Sequence, residues 1–146
     1  MMKDNAVPFN IVDRAKKLVD QYLAKTQDEQ DNKYDVTLFI MATGSILSYL
    51  DTLGQLPMDL PNIPSSITSG GKNNHKEICK HLRNAIAHSH INVLGNEDGP
   101  IERINLKDYN DGDKTKPCNY ELEISVKDFK AFFDALYSYA NKVIKT

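Results

Sequence analysis

From Asp35 to Leu53 the chain is apolar on nearly every helical face before it stops at Gly54. A helix without a polar face has to be buried, and glycine is the residue that ends helices most readily, so this segment is expected to be the most buried helix of the fold. Gly44 and Ser45 interrupt its middle. Glycine there costs about 1 kcal/mol relative to alanine, and close packing against another helix is the expected reason for tolerating it.

The remaining elements gather around this segment. Asn10-Ile11-Val12-Asp13 has the form of an N-cap with an acidic residue at N3, and Val12, Ala15, Leu18, Val19, Tyr22 and Leu23 follow at helical spacing, giving a helix over about residues 10–25. Polar Thr26 to Lys33 reads as a loop. Pro57, Pro61 and Pro64 with Gly70 and Gly71 make residues 54–71 a poor candidate for regular structure. A loop of that length either covers a cleft, contacts a partner or simply crosses to the third helix. That helix is expected over roughly Asn73 to Ser89, with Lys72 to Asn74 at its start. Ser125-Val126-Lys127-Asp128 then caps a last helix, whose apolar stripe is Phe129, Phe132, Phe133, Leu136, Ala140 and Val143.

Between these two helices the period changes. Ile91-Asn92-Val93, Ile104-Asn105-Leu106 and Tyr120 to Ile124 alternate as half-buried strands do, and Asp111-Gly112-Asp113 supplies turn chemistry. The expected fold is mainly α: four helices, with a small antiparallel hairpin or sheet between the third and the last. There are no internal repeats, and 146 residues make one domain spanning 1–146.

Composition excludes several classes. A hydrophobic share of 40% against 26% charged residues is that of an ordinary globular protein. No run approaches the ~18 apolar residues of a membrane span, and Met1 to Asn5 lacks a signal-peptide core, so a cytoplasmic protein without membrane association is expected. Cys79 and Cys118 form no framework and are read as reduced and structural. His75 and Cys79 stand four apart, but no second ligand pair follows at zinc-like spacing, so neither a metal site nor a cofactor is expected. Glycine-rich phosphate loops, nucleophile elbows and DNA-binding motifs are missing from the sequence.

The chemistry collects in Arg83-Asn84-Ala85-Ile86-Ala87-His88. Arginine stays protonated at physiological pH and offers a planar fork to phosphate oxygens, whereas histidine exchanges protons near neutrality. At ~100° per residue Arg83 and His88 point about 140° apart, while Asn84 pairs with His88 and Lys80 with Asn84 at i,i+4. Ile78, Leu82, Ala85 and Ile86 form the opposite, core-facing stripe. Small Ala87 leaves a gap for a substrate or a second copy of the helix, and a symmetric dimer is the simplest way to turn that gap into a cleft. Net charge is −2, yet Lys72, Lys76, Lys80 and Arg83 against Glu77 give this segment a local balance of +3. Acidic residues are expected elsewhere, in Asp28 to Asp31 and Asp108 to Asp113. A small basic site of this kind suits one scissile phosphate, or a partner that masks it.

Arg83, polar Asn84 and His88 at the end of a third helix resemble the R-x4-6-H motif of HEPN domains, and the order of elements agrees over most of the chain. The resemblance implies a four-helix up-and-down bundle. It also implies a metal-independent endoribonuclease of the toxin-antitoxin or defence type, acting on RNA as a homodimer with a composite site, with an antitoxin protein as a further partner. Arg83, His88 and Asn84 are the expected catalytic residues, and Lys80 and His90 the expected substrate-binding ones.

In this reading neutral His88 takes the proton of a ribose 2′-hydroxyl, whose oxygen attacks the adjacent phosphorus and leaves a 2′,3′-cyclic phosphate. Arg83 stabilises the charge on the non-bridging oxygens. Asn84 orients His88 or binds phosphate, and in a dimer the second His88 can protonate the leaving group. DNA, without the 2′-hydroxyl, should not react. The alternatives are a non-catalytic HEPN-like module that binds nucleotide or protein through the same face, and a helical structural subunit that carries the motif by chance. His81 is read as structural, and His90 also as a cation at the helix end.

Overall fold

The computed structural model describes residues 10–26, 35–70, 74–95, 101–109 and 112–145. The expected loop at 27–33, the acidic run at 28–31 and residues 72, 73 and 111 lie outside the described residues. Among the described residues there are four α-helices: α1 (Ile11–Thr26), α2 (Asp35–Thr52), α3 (His75–Ala87) and α4 (Val126–Lys145). Strands β1 (Ile91–Gly95), β2 (Ile101–Tyr109) and β3 (Cys118–Ser125) lie between α3 and α4 and pair in that order as an antiparallel sheet. The mainly α fold with a small inserted sheet is therefore as the sequence predicts.

Local chemistry sets the ends. Asn10 Oδ1 accepts the Asp13 N–H at 3.1 Å to start α1, and Ser125 Oγ accepts the Asp128 N–H at 3.1 Å to start α4. Gly54 follows α2 with φ of 68°, a left-handed conformation that suits glycine.

Helix α2 touches α1, α3 and α4, and buries Val36, Phe39, Ile40, Ile46, Leu47 and Leu50 among them. It is not covered all round: Met41, Ser45 and Tyr49 leave an exposed strip. Gly44 has the expected reason, since a Cβ there would stand 2.6 Å from Ile86 Cγ2 of α3. Phe129, Phe132, Phe133, Leu136 and Ala140 of α4 are buried, with Phe133 edge-on to Phe39 at 5.3 Å, while Val143 is only partly covered.

Of the readings open for this stretch, residues 54–70 take that of a crossover, packed down rather than loose. They bury Leu56, Leu60 and Ile67 and end in a 3-10 helix, Ser65–Gly70, which packs on β3. Ser66 Oγ donates to Asp128 Oδ2 at 2.8 Å, and Tyr120 donates its hydroxyl to Ile67 O at 3.3 Å. Apolar burial at those three positions holds the segment down as a packed crossover.

The sheet carries its polar and apolar residues on opposite faces. Ile104↔Ile124 and Leu106↔Leu122 form buried cross-strand pairs towards α3 and α4, while outside Arg103 Nε donates to Glu123 at 2.9 Å and Asn105 to Glu121 at 2.9 Å. The inward row ends on a polar pair, Asp108↔Tyr120.

Candidate active site

Helix α3 begins where Asn74 Oδ1 accepts the N–H groups of Lys76 and Glu77, at 2.9 and 3.3 Å. Ile78, Cys79, Leu82 and Ala85 are buried, which turns Lys76, Lys80, Ala87 and His88 to solvent and leaves Arg83 and Asn84 half-buried. The helix ends in a reversal of the Schellman type: His90 N donates to Ala85 O at 2.8 Å, Ser89 N to Ile86 O at 3.1 Å, and Ser89 takes the left-handed conformation at φ of 57°.

Arg83 is held from two sides. Its Nε lies 3.1 Å from Asp51 Oδ2 in the last turn of α2, an electrostatic contact whose N–H does not line up as a hydrogen bond. Its Nη1 donates to Asn84 Oδ1 at 2.8 Å. Asn84 Nδ2 donates in turn to Asp108 Oδ2 at 3.3 Å, and the same oxygen accepts from His81 Nδ1 at 2.7 Å. A carboxylate can only accept, which places that ring proton on Nδ1. The His81 ring stacks on Tyr120, 4.9 Å between centres and 5° from parallel.

Asn84 thus turns its amide to Arg83 and Asp108 rather than to His88. The expectation that it orients His88 gives way to a role in positioning the guanidinium. The exposed side chain of Lys80 hydrogen-bonds no described residue. The Nη2 of Arg83 likewise has no described hydrogen-bond partner, and the side chain is 39% exposed.

His88 and His90 form a second cluster. Their rings lie 5.8 Å apart and 26° from parallel, and Tyr109 meets His90 edge-on at 5.0 Å. His90 O accepts from Lys107 N at 3.0 Å, tying the helix end to β2. Gly112, at φ of 69°, lies so close to His88 that a Cβ there would come within 2.7 Å of Nε2. Arg83 with Asn84 on the last turns of α3, and His88 with His90 at the reversal just past it, are therefore two clusters.

Sequence reasoning missed Asp51 and Asp108. Asp108 does not lie with the acidic residues elsewhere: it is 4% exposed and sits under α3. Its signal was a carboxylate where the alternation of Ile104 and Leu106 calls for an apolar side chain. Asp51 stands in the last turn of α2, where the helix dipole disfavours an anion, and such a residue needs a cation nearby.

The pair at His75 and Cys79 is structural. His75 Nδ1 accepts the Leu60 N–H at 2.7 Å, which pins the crossover, and burial pushes the Cys79 thiol up to about 12. Cys118 is exposed, with Sγ donating to Tyr120 O at 3.2 Å, and both cysteines are free. Among the described residues no three metal-capable side chains converge. No helix among them is long and apolar enough to cross a membrane.

A half-exposed arginine locked by an acidic neighbour and an asparagine, with an exposed histidine five residues on at a helix end, defines a motif-bearing helical module. The family model described as HEPN pEK499 p136 matches residues 1–146, and the chain belongs to that HEPN family. Neither a curated protein nor a solved structure matches it.

Proposed function

We propose that this protein is a metal-independent endoribonuclease that cleaves RNA by 2′-hydroxyl attack. The observation that carries the reading is the guanidinium of Arg83, held by Asp51 and Asn84 with no hydrogen-bond partner for Nη2 among the described residues, on the same helix end as exposed His88. An arginine held in place before substrate arrives loses little on meeting a phosphate, and preorganised charge of this kind supplies about 3 kcal/mol of transition-state stabilisation. His88 takes the 2′-hydroxyl proton, the 2′-oxygen bonds to phosphorus, and the 5′-oxygen leaves. Lys80 adds charge along the approach.

A second copy, pairing its α3 with this one across the gap at exposed Ala87, encloses the helix ends in a homodimer. RNA is the substrate, and a protein that covers the same face acts as an antitoxin.

The test is purified protein with single-stranded RNA in EDTA. Products should carry 2′,3′-cyclic phosphate ends, and Arg83→Ala and His88→Ala should each lose at least about a hundredfold in rate while remaining folded. A requirement for added divalent metal overturns the mechanism. Binding of RNA without cleavage assigns the same face to a non-catalytic module.

A further inference from the structure

The turn that ends α3 places two imidazoles side by side. His88 is the last half-helical residue, Ser89 reverses the chain in the left-handed region, and His90 returns along β2. A continuing helix would set residues 88 and 90 about 200° apart around the axis. The reversal instead leaves their rings 5.8 Å apart and roughly parallel.

Both rings are supported from behind. Tyr109 meets His90 edge-on at 5.0 Å, and His90 O is tied to Lys107 N. Gly112 lies against the Nε2 edge of His88, where a side chain would collide. His88 is exposed and His90 half-buried, so solvent reaches the pair.

We propose that His88 and His90 are the general base and the general acid of a single chain, so that each protomer completes its own proton transfers. The inference rests on the ribonuclease reading above. Neutral His88 accepts the 2′-hydroxyl proton as the 2′-oxygen–phosphorus bond forms. Protonated His90 gives its proton to the 5′-oxygen as the phosphorus–5′-oxygen bond breaks. The products are a 2′,3′-cyclic phosphate and a 5′-hydroxyl, and proton exchange with water resets the two rings. Rings 5.8 Å apart can both reach one phosphodiester through hydrogen bonds of about 2.6–3.2 Å.

A general acid is needed only if the leaving group is a poor one, and this separates the role from a structural one. Two single-stranded RNA substrates are compared in EDTA, one ordinary and one whose scissile 5′-bridging oxygen is replaced by sulfur, which leaves as a thiolate without a proton. His90→Ala should slow cleavage of ordinary RNA by about 10²–10⁴-fold. On the sulfur-bridged RNA it should cleave within a few-fold of the unaltered protein. His88→Ala and Arg83→Ala should be impaired on both.

His90→Phe keeps a ring between His88 and Tyr109 but has no proton to give, and it should repeat the pattern if His90→Ala does not fold. Equal impairment of the folded His90 variants on both substrates, or none on ordinary RNA, overturns the acid role while the nuclease reading stands. Failure of the unaltered protein to cut either substrate overturns the nuclease reading and this inference with it.

Discussion

At the scale of single residues, the candidate site depends on one carboxylate that the motif does not contain. Asp51 and Arg83 are about one third exposed, so their attraction adds at most about 1 kcal/mol to stability. In the proposed reaction its effect is larger, because a misplaced guanidinium no longer meets the developing charge. Asp51→Asn should lower kcat on the order of tenfold with KM unchanged or lower, as the freed arginine binds ground-state phosphate equally well or better. Steady-state kinetics on a short RNA checks this; a rise in KM alone would show that Asp51 serves binding only.

Ser89 holds a left-handed conformation that glycine adopts without a Cβ clash. Ser89→Gly should therefore raise stability by about 0.5–1 kcal/mol in denaturant unfolding, with the turn and the His88–His90 pair retained. Arg83, Asn84 and His88 were legible in the sequence as a local pattern on one helix. Asp51 and Asp108 were not, because their partners come from other elements and no spacing along the chain records them.

At the scale of elements, the contact between α2 and α3 sets where Asp51 meets Arg83. Gly44 and Ile86 meet within it. Gly44→Ala gains about 1 kcal/mol of helix propensity but drives a methyl to within 2.6 Å of Ile86 Cγ2. Overpacking costs about 1–3 kcal/mol, so the net change should be a loss of about 1 kcal/mol. Pairing it with Ile86→Ala should cost less than the sum of the two single changes, because the shortened side chain makes room. Additive losses would show that the two helices do not meet there.

The sequence predicted that glycine's reason correctly, since a helix interior tolerates glycine chiefly where a neighbour comes close. It did not show that 54–70 packs down through Leu56, Leu60 and Ile67, because three apolar residues without a regular period resemble any loop.

At the scale of the whole molecule, the core is continuous from α1 through α2 and α4 to the inner face of the sheet. Cys79 lies fully inside it and Cys118 outside. A thiol reagent should label Cys118 rapidly in the native protein and Cys79 only on unfolding, read by mass spectrometry. Burial raises the Cys79 thiol from 9.0 to about 12, so between those values the folded chain keeps a proton that the unfolded chain releases. Stability contributed by the neutral thiol is complete below pH 9 and falls as pH rises towards 12, and Cys79→Ala should flatten that alkaline limb. An unchanged pH dependence in that variant would place its cause elsewhere.

Read along the chain, the amino acids determine each helix with its caps and apolar stripe, the alternating strands, and an arginine, an asparagine and a histidine on one helix end. These are short-range features, governed by backbone propensity and by the period of burial. Only the folded chain decided that Asp51 meets Arg83, that Asp108, itself bonded to His81, holds Asn84 from beneath, and that His88 and His90 face one another. Each of these depends on the distance between groups brought together by packing, which hydrophobic pattern drives but does not record.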